Sequence, residues 1–517
     1  MTAAIVGDPG LPETGSEGPP VIRSAGITLI GSALGGILVI LNEVLAARLL
    51  QSQAYGLYAS GITVARIGEA VSVFGIPMGI FHFIPIYRQR SERQLIAGTV
   101  YAAAILPLLI GGVFASAAWI AAPWLATHVF NGANVVTYIR LLAVAVPFMA
   151  LTEVLGALTR GFGYSKYYVF VKNLTPPVVV LASLGAMAAF HARPLWITAA
   201  IVLASVLGST AGVLAVVRVA RDDLGRVQPI FPFKELYGYS AGIMLNMVFY
   251  MVFALTGILV VGVFLGSESV GIYRVCLQAV VPFDMVLLAF HAAMGPVYPV
   301  LARQNKVAAL EDAYGTAVRW MAIVLLPVGV VLAWNRNDLL ALAGPEFVTG
   351  GNALVILAIG YSICTCFGTV AYLLMLSGHK SVETWNAAFA AVLNLVLAIV
   401  LVPRFGLAGA AFATASSFVL LNVLRVAEAR YVVGLRTFRP YFIRIVAVSA
   451  TGGVSVFVML QSLGILQGSD GISVAIRIAL MLVMHAGILW TVGLNRQDKD
   501  MLWALVPSVT GRTVQRP

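Results

Sequence analysis

Two acidic residues lie inside long apolar runs, at equivalent distances from repeated landmarks. The displacement from Glu69 to Asp284 equals the displacement from Gly56 to Gly271, and we call it the repeat displacement. A carboxylate in hydrocarbon is costly, so two interpretations are open. The pair could bind a proton or another cation that couples to transport, or each acid could only hydrogen-bond between packed helices. If their helices face each other, both carboxylates point into one cavity and resist ionising together, so one of them can exchange a proton.

Three arginines and one further acid complete the candidate site. Arg66 precedes Glu69 by three residues, which puts both side chains on one face of a helix and predicts an ion pair. A planar guanidinium equally suits a phosphate group. Arg48 and Arg274 lie near the ends of apolar runs, where they either extend a cationic path or only reach towards the membrane surface. Glu43 is a lone acid in the first apolar run and a candidate cavity residue.

The elements that position these residues are membrane helices. The chain has 517 residues, of which 60% are hydrophobic and 10% charged, and its mean hydropathy is +0.95. This composition excludes a soluble domain and predicts an all-α polytopic membrane protein. Apolar segments of roughly 20 residues, enough to cross a bilayer, recur along the sequence. We count about fourteen of them between residues 25 and 494.

The repeat displacement indicates an internal duplication. It spans six predicted helices, an even number, so the two copies have the same orientation and form parallel repeats. We therefore predict two six-helix lobes followed by two additional helices. The expected units are a disordered tail (1–22), an N-lobe (23–217), a cytoplasmic linker (218–237), a C-lobe (238–431), helices 13 and 14 (432–495) and a second tail (496–517).

The distribution of Lys and Arg predicts the orientation. When connections are assigned to alternate sides, most of the 32 Lys and Arg residues fall on one side, Lys172 and Arg425 among them. Basic residues collect on the cytoplasmic side, so we expect both termini there. The net charge of +11 then belongs to that membrane face and its lipids, which argues against nucleic acid as a partner.

Several short motifs stand at the ends of the apolar runs, in an order and spacing that agree with the helix count. The motifs are Arg48-Leu49-Leu50, Tyr55-Gly56-Leu57-Tyr58, Gly344-Pro345-Glu346-Phe347 and Pro403-Arg404-Phe405-Gly406-Leu407-Ala408-Gly409-Ala410-Ala411. Together they resemble those of bacterial polysaccharide flippases, the O-antigen and exopolysaccharide translocases of the multidrug/oligosaccharidyl-lipid/polysaccharide exporter superfamily. The resemblance covers residues 25 to 500.

The resemblance implies a function. The family moves a polyprenyl-pyrophosphate-linked oligosaccharide from the inner to the outer leaflet of the bacterial inner membrane, alongside glycosyltransferases and a polysaccharide polymerase. It also implies cavity arginines on helices 1, 2 and 8, to which Arg66 and Arg274 correspond by helix only. Coupling to H⁺ or Na⁺ is expected, and helices 13 and 14 are expected to form a groove for the lipid tail.

Two alternatives stay open. A drug/cation antiporter of the same superfamily is favoured by an aromatic cavity without arginine. A membrane glycosyltransferase or polymerase is favoured by a large periplasmic loop, yet the predicted loops are no longer than about 20 residues. No catalytic group, nucleotide loop, cofactor motif or metal-ligand spacing occurs among the residues, so we expect a transporter rather than an enzyme.

Overall fold

The computed structural model describes residues 18–462, 471–494 and 499, except residues 222, 224, 226, 296, 305, 378, 379 and 436–439. Most of the two predicted tails and part of the linker therefore lie outside the described residues. The described part of the chain is helical and contains no strand. The protein is thus an all-α polytopic membrane protein, as the sequence predicts.

The helices follow one another with short connections. Up to residue 219 they are α1 (Gly18–Val73), α2 (Ile76–Gln89), α3 (Arg93–His128), α4 (Val135–Ala143), α5 (Val146–Gly161), α6 (Ser165–Tyr168), α7 (Thr175–Ala189) and α8 (Trp196–Val219), with a π-helical turn at Val169–Leu174. The later helices are α9 (Phe233–Ala279), α10 (Val281–Met294), α11 (Val297–Arg303), α12 (Val307–Trp334), α13 (Arg336–Ala341), α14 (Gly351–Thr365), α15 (Val370–Leu376), α16 (Lys380–Val432), α17 (Pro440–Ser462) and α18 (Gly471–Ile488). A 3₁₀ turn, Pro345–Gly350, precedes α14, and a second π-helical turn, Leu489–Gly493, follows α18.

Within the described ranges, nine helices are long and apolar enough to cross a membrane, or ten when α4 and α5, which meet at 42°, count as one span. The three longest, α1, α9 and α16, have 56, 47 and 53 residues, although roughly 20 residues suffice for one crossing. Each is interrupted by one residue with non-helical backbone and therefore consists of two helices. The count of fourteen spans stays a prediction.

The interruptions recur at the repeat displacement found in the sequence. Gln51 (φ 62°, ψ 172°) and Gly266 (φ 80°, ψ 177°) have nearly the same backbone conformation and are related by that displacement. His191 (φ 48°), which follows α7, and Gly406 (φ 58°) inside α16 form a second pair related in the same way. These matched breaks give the two copies of the sequence the same local chain path.

The two repeats contact each other closely at the equivalent glycines Gly56 and Gly271. A methyl group on Gly56 would lie 2.0 Å from the carbonyl oxygen of Ser267, and one on Gly271 would lie 2.9 Å from the Cα atom of Gly56. Polar contacts flank this crossing: the Ser52 hydroxyl donates to Glu268 (2.7 Å), and the Ser52 backbone N–H donates to Glu346 (3.1 Å). Only glycine permits so close an approach of two helices.

In each repeat a break followed by a proline divides the second apolar segment, but at different points. In the first repeat the chain breaks at Phe74 and Gly75, just before Pro77 in α2. In the second repeat the break falls at Val280, just before Pro282 in α10. Proline is favoured in the first turn of a helix because it lacks the N–H that would be unpaired there. The two repeats are therefore bent at different points along this segment.

The last two helices pack against the second repeat. Arg477 of α18 forms an ion pair with Asp338 of α13, and the Asn335 side chain contacts the sulfur of Met481 at 3.5 Å. In α17, Gly453 lies against Val330 of α12. The additional helices are thus attached along α12 and α13.

Candidate functional site

Two cavities within the described helices share Arg274 in their lining. The first, the N-cavity, has a volume of about 440 Å³ and is lined mainly by α1, α5, the π-helical turn after α6, α7 and α8. The second, the C-cavity, has a volume of about 520 Å³ and is lined mainly by α9, α10, α12, α14 and α16. Both volumes are within the range of small-ligand sites.

The charged residues that line the N-cavity are balanced. Three are basic and three acidic, and each base is paired with one acid: Arg66 with Glu69, Lys172 with Glu153, and Arg274 with Glu43. A cavity among apolar helices tolerates charge when the charges are paired. The N-cavity is therefore polar and has no net formal charge.

Arg66 and Glu69 form the ion pair that their spacing predicts. The Nη1 atom of Arg66 lies 2.7 Å from Glu69 Oε2, and both residues line the N-cavity. The Arg66 side chain is nevertheless 57% exposed. Since a guanidinium has five N–H donors, most of those on Arg66 remain available to a ligand in the cavity.

Lys172 and Glu153 form a second pair, which sequence reasoning missed. Lys172 Nζ lies 2.6 Å from Glu153 Oε1, and the ammonium also lies over the Tyr168 ring, 5.5 Å from its centroid. Lys172 lies within the candidate span Ser165–Ala189 and not in a connection, while its side of the membrane stays a prediction. The π-helical turn Val169–Leu174 continues the chain towards α7 and directs Lys172 into the cavity. Such turns are frequent at functional sites, but a wider helical turn leaves no mark in the hydrophobic pattern.

Glu43 and Arg274 form the third pair, which joins the two repeats. Arg274 Nη2 donates to Glu43 Oε1 (2.6 Å) and Arg274 Nε to Glu43 Oε2 (3.3 Å), while the Tyr55 hydroxyl also donates to Glu43. The Arg274 and Glu43 side chains are only 12% and 11% exposed. The interpretation that Arg274 merely reaches the membrane surface is therefore wrong, because an acid from the other repeat holds it inside.

Arg48 does not join this cluster. It is exposed, as is the neighbouring Leu49, at the end of the first half of α1 just before the break at Gln51. It lines neither cavity. The expected extension of a cationic path to Arg48 is thus not supported by the geometry.

Glu69 and Asp284 do not share a cavity, contrary to the expectation from their equivalent positions. Glu69 lines the N-cavity, whereas Asp284 lines the C-cavity. The break at Val280 puts Asp284 in the first turn of α10, while Glu69 lies inside the second half of α1. Asp284 is exposed to the cavity, and no ion pair or hydrogen bond joins its carboxylate to another residue of the described chain.

Aromatic rings form much of the remaining C-cavity wall. Phe283 contacts Tyr361 with ring centroids 5.7 Å apart, and Tyr361 contacts Phe418 at 5.3 Å. His291 also faces this cavity and stacks on Tyr372 at 4.5 Å. An aromatic wall beside one carboxylate favours cations over anions.

Sequence reasoning also missed a buried cluster at the edge of the C-cavity. Arg425 is 3% exposed and binds Glu383, with Nε at 3.1 Å from Oε2, and the Tyr250 hydroxyl donates to Glu383 Oε1 (2.6 Å). The Arg425 side chain thus lies inside the protein and not at its surface, while its side of the membrane stays a prediction. Glu383, the acid at the start of the apolar run 382–402, is the signal that could have revealed this cluster.

A family model described as "Polysaccharide biosynthesis protein" matches residues 44–343. That region includes Asp284 of the C-cavity and every charged residue of the N-cavity except Glu43, which directly precedes it. The chain belongs to this family.

Two curated relatives are similar to this family member. One is an uncharacterized membrane protein of Methanocaldococcus jannaschii, 20% identical over 77% of this chain and 82% of the relative. The other is the probable low-salt glycan biosynthesis flippase Agl15 of Haloferax volcanii, 21% identical over 37% of this chain and 41% of the relative.

Solved structures show the fold of the family member. The lipid II flippase MurJ in an inward closed conformation superposes with a TM-score of 0.69 at 12% identity, covering 93% of this chain and 100% of that one. An inward-facing multidrug resistance MATE family transporter superposes with a TM-score of 0.64 at 14% identity, covering 79% of this chain and 98% of that one. The chain therefore has the helical fold that these two transporters share.

Proposed function

We propose that the protein is a flippase that moves a polyprenyl-pyrophosphate-linked oligosaccharide across the bacterial inner membrane. The observation that carries this proposal is the N-cavity, where Arg66, Lys172 and Arg274 converge on one polar space. Guanidinium groups bind phosphate oxygens through paired hydrogen bonds, and the lysine adds a third positive charge. The pyrophosphate would bind here, while the polyprenyl chain stays in lipid.

The two repeats, residues 23–217 and 238–431, would be the moving lobes of an alternating-access cycle. Their crossing at Gly56 and Gly271 is too close to admit even a methyl group, so no sugar can pass there in this conformation. The bias of Lys and Arg assigns that crossing to the periplasmic side and both termini to the cytoplasm. The described conformation would then accept substrate from the inner leaflet.

Ion coupling would use the C-cavity. Asp284 is accessible and unpaired among the described residues, whereas Glu69 is held by Arg66. Asp284 would bind a proton, or Na⁺, on one side and release it on the other, with His291 facing the same space. Glu69 would serve the N-cavity, where it holds Arg66 in place while the remaining N–H groups of Arg66 bind substrate.

The function can be tested with purified protein in proteoliposomes that contain a fluorescent polyprenyl-pyrophosphate-linked saccharide. Flipping to the outer leaflet exposes the saccharide to a membrane-impermeant glycosidase outside the vesicles, and flipping to the inner leaflet protects it. We expect the wild-type protein to catalyse exchange between leaflets and Arg66→Ala to abolish it. Arg66→Lys should recover only part of the rate, because an ammonium lacks the bidentate fork.

Arg140→Ala is the matched control. Arg140 is another arginine of the first repeat, but it lies against Trp119 with its guanidinium 5.6 Å from the ring centroid and lines neither cavity. Its removal should leave transport intact. Normal exchange by Arg66→Ala, or no exchange by the wild-type protein, would contradict the proposed function.

A drug/cation antiporter is the second candidate, and the aromatic wall of the C-cavity with Asp284 favours it. Arg274 and Arg425 also line that cavity, although each is paired with a carboxylate. Uptake of a fluorescent quaternary ammonium ion into proteoliposomes separates the two candidates. Transport of that ion without exchange of the lipid-linked saccharide would favour the antiporter.

A further inference from the structure

We propose that Glu43 is an internal competitor of the substrate: it occupies the anion site of Arg274 in the empty transporter and gives it up when a pyrophosphate binds. This inference rests on the proposed function and assigns Glu43 a role other than substrate ligand. It starts from the charge balance of the N-cavity, where each basic residue already has an acidic partner. An incoming pyrophosphate must therefore compete with these carboxylates for the positive charge of the cavity.

Two of these pairs differ in how easily their arginine can bind a ligand. Arg66 is 57% exposed and contacts Glu69 through Nη1, so it can bind a ligand while keeping its partner. Arg274 is 12% exposed and binds Glu43 through both Nε and Nη2. A carboxylate in this two-point arrangement has the geometry that a phosphate group would adopt on the same guanidinium. Arg274 can therefore offer this Nε–Nη2 face to the substrate only in place of Glu43.

Tyr55 makes this exchange feasible. Its side chain is fully buried, and its hydroxyl donates to the same Glu43 oxygen, Oε2, that accepts from Arg274 Nε. When Arg274 leaves, Glu43 keeps this hydrogen bond, which offsets part of the cost of a buried carboxylate without its cation. Tyr55 is thus a positioning residue that lowers the cost of releasing Arg274.

The exchange also reaches beyond the binding site. Glu43 lies on α1 in the first repeat and Arg274 on α9 in the second, so their pair is one of the contacts that hold the repeats together. A substrate that separates them removes this contact only when its pyrophosphate is bound. Binding of the anion would then favour movement of the lobes because the ligand interacts differently with the two conformations.

The test measures the affinity of polyprenyl pyrophosphate for the full-length protein in nanodiscs, with inorganic pyrophosphate as a second probe. Glu43→Gln keeps the size of the side chain but removes the competing charge, so it should tighten binding about tenfold or more. Tyr55→Phe removes the bond that stabilises the released Glu43, so it should weaken binding. A merely structural cluster would instead lose affinity in both variants.

Three further measurements complete the test. In an Arg274→Gln background, Glu43→Gln should no longer change the affinity, because the competition acts through Arg274. Glu428→Gln, which removes an acid bonded to Asn386 outside both cavities, should leave affinity unchanged and controls for net charge. In the flipping assay Glu43→Gln should lower KM, because the substrate binds more tightly. It should also lower kcat, because Glu43 no longer displaces the substrate from Arg274 by re-forming the pair.

Equal affinities of Glu43→Gln and wild type would overturn the competitor role while leaving the proposed function intact. Weaker binding by both Glu43→Gln and Tyr55→Phe would overturn it equally. If Glu43→Gln does not fold, Glu43→Asp replaces it; this acid is one methylene shorter, reaches less far towards Arg274 and should show a smaller tightening. If the wild-type protein binds neither probe, the proposed function fails together with this inference.

Discussion

Replacing Arg425 with leucine separates residues that stabilise the fold from residues that bind substrate. Arg425 and Glu383 are 3% and 4% exposed, and their pair is completed by the Tyr250 hydroxyl and by Asn422. Arg425→Leu leaves Glu383 as a buried carboxylate that still accepts from Tyr250 but has lost its cation. Arg66→Leu breaks an ion pair as well, but there the arginine is 57% exposed.

The expected magnitudes differ clearly. Removing one partner of a buried ion pair costs about 3–5 kcal/mol because the other charge loses its compensation. Removing one partner of an exposed pair costs at most about 1 kcal/mol, since solvent replaces much of the interaction. Arg425→Leu should therefore lower the free energy of unfolding several times more than Arg66→Leu. For the protein that remains folded the order should be reversed, with Arg66→Leu lowering the transport rate more than Arg425→Leu.

Equilibrium unfolding in mixed detergent micelles measures both variants against wild type. The double variant Arg425→Leu with Glu383→Leu should recover most of the loss, because no uncompensated charge remains. Two results would refute the reasoning: Arg425→Leu as stable as Arg66→Leu, or a double variant less stable than Arg425→Leu alone. Either would mean that the buried pair does not have the structural role that its geometry indicates.

Three further changes test other parts of the structure. Gln51→Gly should raise the free energy of unfolding by about 1 kcal/mol, since Gln51 has a backbone conformation suited to glycine and its equivalent, Gly266, already is one; no gain in the unfolding assay would count against this backbone strain. Gly56→Ala should force the repeats apart at their crossing. A cysteine introduced by Ser52→Cys should then react faster with an impermeant maleimide. An unchanged reaction rate would argue that the crossing adapts by another route. Asp284→Asn should abolish the stimulation of transport by a proton gradient while polyprenyl pyrophosphate still binds; transport at the wild-type rate would end its coupling role.

Much of the fold could be predicted because the duplication leaves local marks. Glycines at Gly56, Gly266 and Gly406 and prolines at Pro77 and Pro282 stand where the backbone bends or helices touch. The membrane requires long apolar runs, so the helices are visible in composition alone. The number of spans is harder to predict, because α1, α9 and α16 each continue through a single non-helical residue without a polar loop.

The site could be predicted only where partners are close in sequence. Arg66 and Glu69 are one helical turn apart, and their pair follows from that spacing. Arg274 and Glu43 are 231 residues apart, and no local pattern reports that the crossing of the repeats brings them together. Lys172 and Arg425 resemble markers of topology in the sequence because a long basic side chain near a helix end can equally reach the surface or turn inward. Tertiary packing decides between these outcomes.

The duplication also explains why the two equivalent acids behave differently. At the repeat displacement, Glu69 corresponds to Asp284, but Arg66 corresponds to Val281. The acid of the first repeat therefore has a cation one turn before it, and the acid of the second repeat has a valine. Lys172 likewise corresponds to Ala387, so two of the three ion pairs of the N-cavity have no counterpart in the second repeat. The third pair, Arg274 with Glu43, joins the repeats, and Arg274 lines both cavities. The C-cavity has an aromatic wall and Asp284, and its two arginines, Arg274 and Arg425, are each paired with another carboxylate. We infer that the lobes divide the work: the first, together with Arg274, recognises the anion, and the second binds the cation that would drive the cycle.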